Sequence, residues 1–391
     1  MISFPDASEN TNMYTDLARE FALNGHQVFV AVSNGPHDTA LNTEGGITVL
    51  RVRTLELFKT SFIKKGIANI LLGFQVLSGI RKYFADIQFD TVIVSTPPIT
   101  YLRTLKSLKS RLNLKIYLIL RDIFPQNARD LGIIRNRFVF GFFRKQEKEL
   151  YRTSDYIGCM SLKNISYVKD HNPELDEGKL HLLLNWKDVD KYVKPDQVLK
   201  KEYGLINKFI AIYGGNFGKP QQLEFILDLA ARIRYLDDVI FLFIGNGTEK
   251  QKIIERVERD RLLNVRIMNI LPRNKYQELV RLCDIGLVNL SNRFTIPNIP
   301  SRTLSYWEAK IPILAAIDEN TDFGTLLEQS GSGLSSISGD LDSYIKNFEK
   351  LYFDKNLRAK MGTNGYNYLI ENCTTKQAFK IISDKILSSV Q

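Results

Sequence analysis

The residues best suited to chemistry gather near position 300. Asn298-Ile-Pro-Ser-Arg302 leads into a helical turn or two at residues 303–310, and an apolar run of strand length begins at Ile311. A polar turn feeding a helix start in an α/β chain offers free backbone N–H groups and the positive end of the helix dipole to a phosphate. Asn298, Pro300 and Ser301 bring capping chemistry, and Arg302 a fork of donors that fits a diphosphate. The plainer alternative is an ordinary βα connection.

A second stretch, Tyr213-Gly214-Gly215-Asn216-Phe217-Gly218-Lys219, ends a strand and precedes a helix. Adjacent glycines let the backbone approach an anion closely, and Lys219 adds charge. The spacing is neither that of the dinucleotide fingerprint nor that of the P-loop, and a tight turn is the competing reading. Gly245-Asn-Gly reads more simply as a turn. Arg273 stands at a helix start after Leu271-Pro272, within reach of a phosphate or solvated. Arg121-Asp122 follows a strand, where a carboxylate could orient a hydroxyl or accept a proton; a structural Arg/Asp pair or an N-cap competes with that role. Glu9 and Asn10 fall in the loop after the first strand, as site residues or helix caps. Asp188-Val-Asp190 has the form of a metal-binding Asp-x-Asp, but no apolar strand immediately precedes it, so we discount it.

The elements that must position these groups alternate between β and α. Residues 12–23 form an amphipathic helix, 27–33 a buried strand, 47–52 another, 58–84 an apolar and basic stretch expected as two helices. Strands follow at 91–95, 115–120, 155–160 and 180–184, with helices at 101–112 and 138–152 between them. The alternation argues for a parallel sheet covered on both faces. Residues 186–200 are polar, break the periodicity and read as a hinge. A second β/α series runs from 209 to 317, and residues 341–390 form a helical tail. The expected domains are 1–185 and 201–391, both Rossmann-like, with ligand loops at the strand C-termini and the main site in the cleft between them. Only Ile2-Ser3-Phe4 remains where a doubly wound sheet would want its first strand, so the beginning looks clipped.

Composition narrows the class. A length of 391 residues exceeds one core, with 44% hydrophobic and 25% charged residues. Three cysteines far apart and four scattered histidines give no disulfide frame or metal-ligand spacing and fit a reducing cytoplasm. The longest apolar-rich uncharged stretch, residues 66–80, is shorter than the roughly 20 residues of a membrane span. Of the net charge of +10, much falls in residues 51–115, with twelve Lys/Arg against three Asp/Glu. Interleaved with Phe58, Phe62, Ile63, Ile67, Ile70, Leu71, Leu72, Phe74 and Tyr83, these cations suit an anionic membrane surface; a core helix with a solvated basic face is the other reading. Nucleic acid is disfavoured, since no nucleic-acid-binding module is recognisable.

With these stretches placed, the chain resembles a retaining GT-B glycosyltransferase of family 4, in the bacterial surface-polysaccharide branch that includes N-acetyl-L-fucosamine transferase-like proteins. The resemblance covers nearly the whole chain. It rests on Leu23-Asn-Gly-His-Gln-Val, Asp122-Ile-Phe-Pro-Gln, Asn185-Trp, Tyr213-Gly-Gly-Asn-Phe-Gly, Ile244-Gly-Asn-Gly, Cys283-Asp-Ile-Gly-Leu-Val and Ile299-Pro-Ser-Arg in that order. It implies a nucleoside-diphosphate sugar, with uridine as the expected base and an N-acetylated deoxyamino sugar as the transferred group. The acceptor would be a lipid-linked oligosaccharide of capsule or O-antigen synthesis, and the protein peripheral on the inner face of the cell membrane. Gly214, Gly215, Asn216, Lys219, Ser301 and Arg302 would hold the diphosphate, Arg273 would lie near the base, and Asp122 near the transferred sugar, with Arg121, Glu9 and Asn10 on the acceptor side. No cofactor or metal is expected. Several positions depart from the family pattern. Its two glutamates fall on Pro297 and Ser305, with Glu308 one turn on as a substitute, and Asn216 and Gln221 stand where Arg and Lys are usual. A GT-B nucleotide-sugar 2-epimerase and a non-catalytic nucleotide-binding subunit of a polysaccharide assembly complex are the alternatives.

Overall fold

The computed structural model describes residues 4, 12–56, 62–189 and 198–387. The chain divides into two compact units, one comprising Met1–Asp188 with Thr375–Gln391, the other Val189–Thr374.

In the second unit six parallel strands carry near-continuous apolar runs, as strands covered on both faces must. They are β8 (Phe209–Asn216), β9 (Val239–Asn246), β10 (Val265–Met268), β11 (Ile285–Asn289), β12 (Ile313–Ile317) and β13 (Gly333–Ile337). Their order, β10-β9-β8-β11-β12-β13, is that of a Rossmann sheet: successive strands step outward from β8 in one direction, then from β11 in the other. The core on one face joins Phe241, Phe243, Ile226, Leu229 and Phe348.

The first unit holds two sheets. In one, β1 (Phe29–Ser33) runs parallel to β3 (Ile47–Val52), which pairs antiparallel with β2 (Ala40–Glu44). The other is all parallel, in the order β4 (Thr91–Ser95), β5 (Lys115–Leu120), β6 (Tyr156–Cys159), β7 (Leu180–Leu182). β2 was not expected from the sequence: Ala40–Glu44 is polar, and its pairing comes from the Gly45-Gly46 turn that folds it onto β3.

Three expectations are corrected. One helix, Phe62–Tyr83, takes the place of two in the basic stretch, since neither Gly66 nor Gly73 breaks it. Residues 57–61 lie outside the described residues. The end of the tail belongs with the first unit: Ala378 and Ile382 of helix Thr375–Leu387 pack with Leu17, Phe21 and Trp186. The Phe21 and Phe379 rings meet at 4.8 Å, edge to face. The start of the expected hinge is core as well. Trp186 is buried, and its Nε1 donates to Met13 O at 2.6 Å. Asp190 and the rest of the polar stretch to 197 lie outside the described residues.

Candidate functional site

In a sheet of this order, strands β8 and β11 diverge where their crossovers leave to opposite sides, and a crevice opens at their C-terminal ends. Ala211 and Gly286 are still within the paired region, which ends with Gly286 opposite Ile212. Beyond it the gap is filled by Tyr306, fully buried on the short helix Thr303–Glu308. Its hydroxyl accepts from Gly214 N at 3.2 Å and faces the carbonyls of Ile212 at 3.2 Å and Leu287 at 3.3 Å. One phenol thus substitutes for the ladder bonds that the parting strands no longer make.

Around this plug the glycines are required by space. A Cβ on Gly214 would come within 1.9 Å of the Tyr276 hydroxyl. Gly215 adopts φ +136°, and the Arg302 guanidinium would lie 3.5 Å from its Cβ. Arg302 also stacks over the Tyr213 ring at 4.3 Å, and its Nη1 is buried without a hydrogen-bond partner among the described residues. A guanidinium held flat on an aromatic ring keeps its edge available for a planar or bidentate anion. Burial pushes the Tyr213 hydroxyl above its ordinary pKa against the opposing effect of Arg302, and pushes Tyr276 well above its own. Both phenols stay neutral, so this cluster presents a cation and dipoles rather than proton-transfer groups.

Two expectations about the residues at this centre are corrected. The turn at Ser301 is closed by backbone alone: Thr303 N bonds Pro300 O at 3.2 Å and Leu304 N bonds Ser301 O at 3.2 Å. No side chain caps the helix, whose N-cap is Arg302 itself, so those N–H groups are not open to an anion. The Gly215 N–H, expected to face the diphosphate, falls instead on the β8–β9 ladder. Register holds from Phe209–Val239 to Asn216–Asn246, with Phe209 N donating to Asp238 O and Phe217 N to Asn246 O at the two ends. Every second N–H between them, Gly215 included, points to β9. The alternation turns the Asn216 N–H to the side from which β11 has departed.

Gly215, Asn216 and Lys219 are exposed, Ser305 is half-buried, and Glu308 is buried at the end of the Arg302 helix. Arg273 is half-buried and opens helix Arg273–Val280, which carries Tyr276. Sequence reading named Tyr213 only as the head of the glycine motif and gave no role to Tyr276, Tyr306 or Asn289. Asn289, fully buried, ends β11, donates Nδ2 to Gln222 O at 2.9 Å and leaves Oδ1 without a hydrogen-bond partner among the described residues. An asparagine closing the apolar run Ile-Gly-Leu-Val was the available signal, as was Tyr306 four residues after Arg302 on one helix face.

In the first unit, Arg121-Asp122 follows β5. Arg121 N donates to Thr96 Oγ1 at 3.1 Å, its Nη1 bonds Asn185 Oδ1, and its guanidinium stacks on Trp186 at 4.6 Å. Its Nε and Nη2 are buried without hydrogen-bond partners among the described residues. Helix Gln126–Asp130 has Pro125 as its N-cap, so Asp122 does not cap it. Burial raises the Asp122 pKa, with Arg121 opposing. Glu9 and Asn10 lie outside the described residues. Among the described residues no group of three or more His, Cys, Asp or Glu could hold a metal ion.

Two Rossmann-like α/β domains in one chain define the GT-B architecture, and solved structures of that fold superpose on nearly all of it. Sucrose-phosphate synthase from Thermosynechococcus elongatus matches with a TM-score of 0.77 at 12% identity, covering 99% of this chain and 95% of that one. Anabaena HepE in complex with UDP-glucose matches with a TM-score of 0.71 at 12% identity, covering 98% of each chain. In sequence, the chain is 23% identical over 282 residues to the probable glycosyltransferase WbjE of Pseudomonas aeruginosa, spanning 70% of this chain and 68% of that protein. No protein-family model matches.

Proposed function

We propose that the chain is a glycosyltransferase that moves a sugar from a nucleoside diphosphate, with uridine as the base, to a hydroxyl of a lipid-linked saccharide in surface-polysaccharide synthesis. The observation that carries this is Arg302, stacked on Tyr213 beside the Gly214-Gly215 bend at the switch point of the second sheet. It is a fixed cation where this fold binds phosphates. The likeness to WbjE, and to a HepE structure holding UDP-glucose, supports the same reading.

The chemistry follows from the groups present. The bond from the sugar's anomeric carbon to the diphosphate breaks, a bond to the acceptor oxygen forms, and the acceptor's proton passes to the leaving diphosphate. Attack from the face of departure retains configuration. Arg302, Lys219 and the Asn216 N–H would stabilise the charge growing on the diphosphate, and Asp122 would orient the acceptor hydroxyl. Such an acceptor lies at a membrane, so an anionic lipid surface is the expected partner of the basic first unit.

Calorimetry with a panel of nucleoside diphosphates and their sugars, with and without magnesium, tests the donor half. One diphosphate bound tightly, and lost in Arg302→Ala, is the expected result. Binding of none would sink the reading. Product formed without any acceptor would point instead to epimerisation.

A further inference from the structure

Helix Phe62–Tyr83 has two apolar faces, and only one is covered. Ala68, Leu72 and Val76 are buried against the first unit. Gly73 brings the helix so close to its neighbour that a Cβ would lie 2.6 Å from Thr100 O, and Thr104 Oγ1 bonds Gly73 O at 2.7 Å. On the opposite side Ile67, Ile70, Leu71 and Phe74 stand 50%, 46%, 38% and 43% exposed. Their spacing of i, i+3, i+4 and i+7 makes one continuous stripe along two turns. Four large apolar side chains in a row are more than the scattered exposure usual on a soluble surface.

What lies beside the stripe says what it meets. The adjoining helix Leu102–Leu112 sets Arg103 over the Phe74 ring at 5.0 Å, and Arg81 Nη2 reaches back to Ser107 Oγ at 2.8 Å. Across these two helices the sequence places eight Lys/Arg (Lys64, Lys65, Arg81, Lys82, Arg103, Lys106, Lys109, Arg111) and no Asp or Glu, against a net charge of +10 for the whole chain; Lys106 and Lys109 are ion-paired with Glu149 and Asp155, and Arg103 and Lys82 are exposed. A second copy of the chain docking here face to face would oppose like charges. Among the described residues no helix is long and apolar enough to cross a membrane. An apolar stripe rimmed by cations on a helix that cannot span fits the interface of an anionic bilayer, with the stripe among the acyl chains and the cations at the headgroups.

We propose that helix Phe62–Tyr83 docks the protein on anionic membrane by inserting the Ile67, Ile70, Leu71 and Phe74 stripe, with Arg103 and its neighbours holding lipid phosphates. The inference rests on the lipid-linked acceptor proposed above and assigns the surface that reaches it.

The test is sedimentation of the full chain with vesicles of phosphatidylglycerol and phosphatidylethanolamine, beside pure phosphatidylcholine vesicles, and calorimetry with UDP on the same protein. Wild type should sediment with the anionic vesicles and only weakly with the neutral ones. Ile70→Ser/Phe74→Ser should bind anionic vesicles about tenfold or more weakly, with UDP binding unchanged. Lys82→Ser/Arg103→Ser should weaken binding chiefly at low salt. Anionic-vesicle binding equal in wild type and the apolar double variant would overturn insertion. UDP binding with no vesicle binding would overturn docking while leaving sugar transfer intact. A dimer in solution that the apolar double variant dissociates would assign the stripe to a second copy and overturn it too. Loss of UDP binding in wild type would instead count against the sugar-transfer reading.

Discussion

The two units surround the arginine at the end of a central strand with different neighbours. At the end of β8 the strand polar groups are met in place: Tyr306 bonds Gly214 N, Tyr213 Oη bonds Asn216 O at 2.7 Å, and Arg302 lies flat on Tyr213. At the end of β5 the guanidinium is also stacked, Arg121 on Trp186, and both arginines keep buried nitrogens without hydrogen-bond partners among the described residues, Nη1 of Arg302 and Nε and Nη2 of Arg121. The difference is the neighbour: Arg121 adjoins Asp122, whose carboxyl burial holds up in pKa, whereas Arg302 lies among phenols. The contrast is between a cation set among neutral phenols and a cation set beside a carboxyl; on the reading proposed above, the first would serve a diphosphate and the second an acceptor hydroxyl.

The comparison breaks first at Arg302. Arg302→Ala should lower turnover about 10²–10³-fold with little change in melting temperature; normal turnover would remove Arg302 from the mechanism and leave the second unit's cluster as packing only. Asp122→Asn comes next. If the first unit carries the acceptor chemistry, turnover should fall about 10²-fold while calorimetry shows unchanged nucleotide affinity. A loss of nucleotide affinity instead would erase the division of labour between the halves.

Tyr306→Phe sharpens the picture of the closed end. The ring still fills the gap, but Gly214 N loses its acceptor, a cost of about 1–3 kcal/mol. Denaturant melts should show the loss, and UDP should bind more weakly as Gly214-Gly215 shifts against Arg302. Unchanged UDP affinity in a destabilised protein would make Tyr306 a purely structural plug.

The smallest effect concerns the first unit alone. Burial lowers the His181 pKa from 6.5 to about 4, with the Lys179 carbonyl opposing and Lys385 adding to the fall. Between those values the unfolded chain binds a proton that the folded unit excludes. Stability is therefore fully present above pH 6.5 and is lost as pH falls toward about 4. With the ring partly exposed, about 1–2 kcal/mol is at stake. Thermal melts across that range should show the decline, and His181→Gln, which keeps a polar group beside the Tyr117 hydroxyl, should flatten it.

Much of this was legible from residue order. The strands at Lys115–Leu120, Phe209–Tyr213 and Ile311–Ile317 were readable because apolar runs of that length between helices have few other solutions, although the second runs on through Gly214 and Gly215 to Asn216 and the third starts only at Ile313. Arg302 and the glycine pair could be singled out from residue type, and the structure brings them together, with the Arg302 guanidinium 3.5 Å from where a Gly215 Cβ would stand. Partnerships were harder to read. The Ser301 turn looked like a capped helix start because serine often caps, yet the backbone closes it unaided. The phenols of Tyr276 and Tyr306 looked like ordinary core, since nothing in the sequence says that two helices far apart bring them to Gly214.

The sequence by itself determined two α/β series, a basic face in the first and an arginine beside a glycine bend in the second, because local propensity and periodicity are properties of neighbours in the chain. Tertiary structure decided which side the last helix joins, which N–H groups the ladder consumes, and which face of helix Phe62–Tyr83 stays uncovered. Those depend on contacts between residues tens to hundreds of positions apart, and burial there is settled by packing against partners the local sequence does not name.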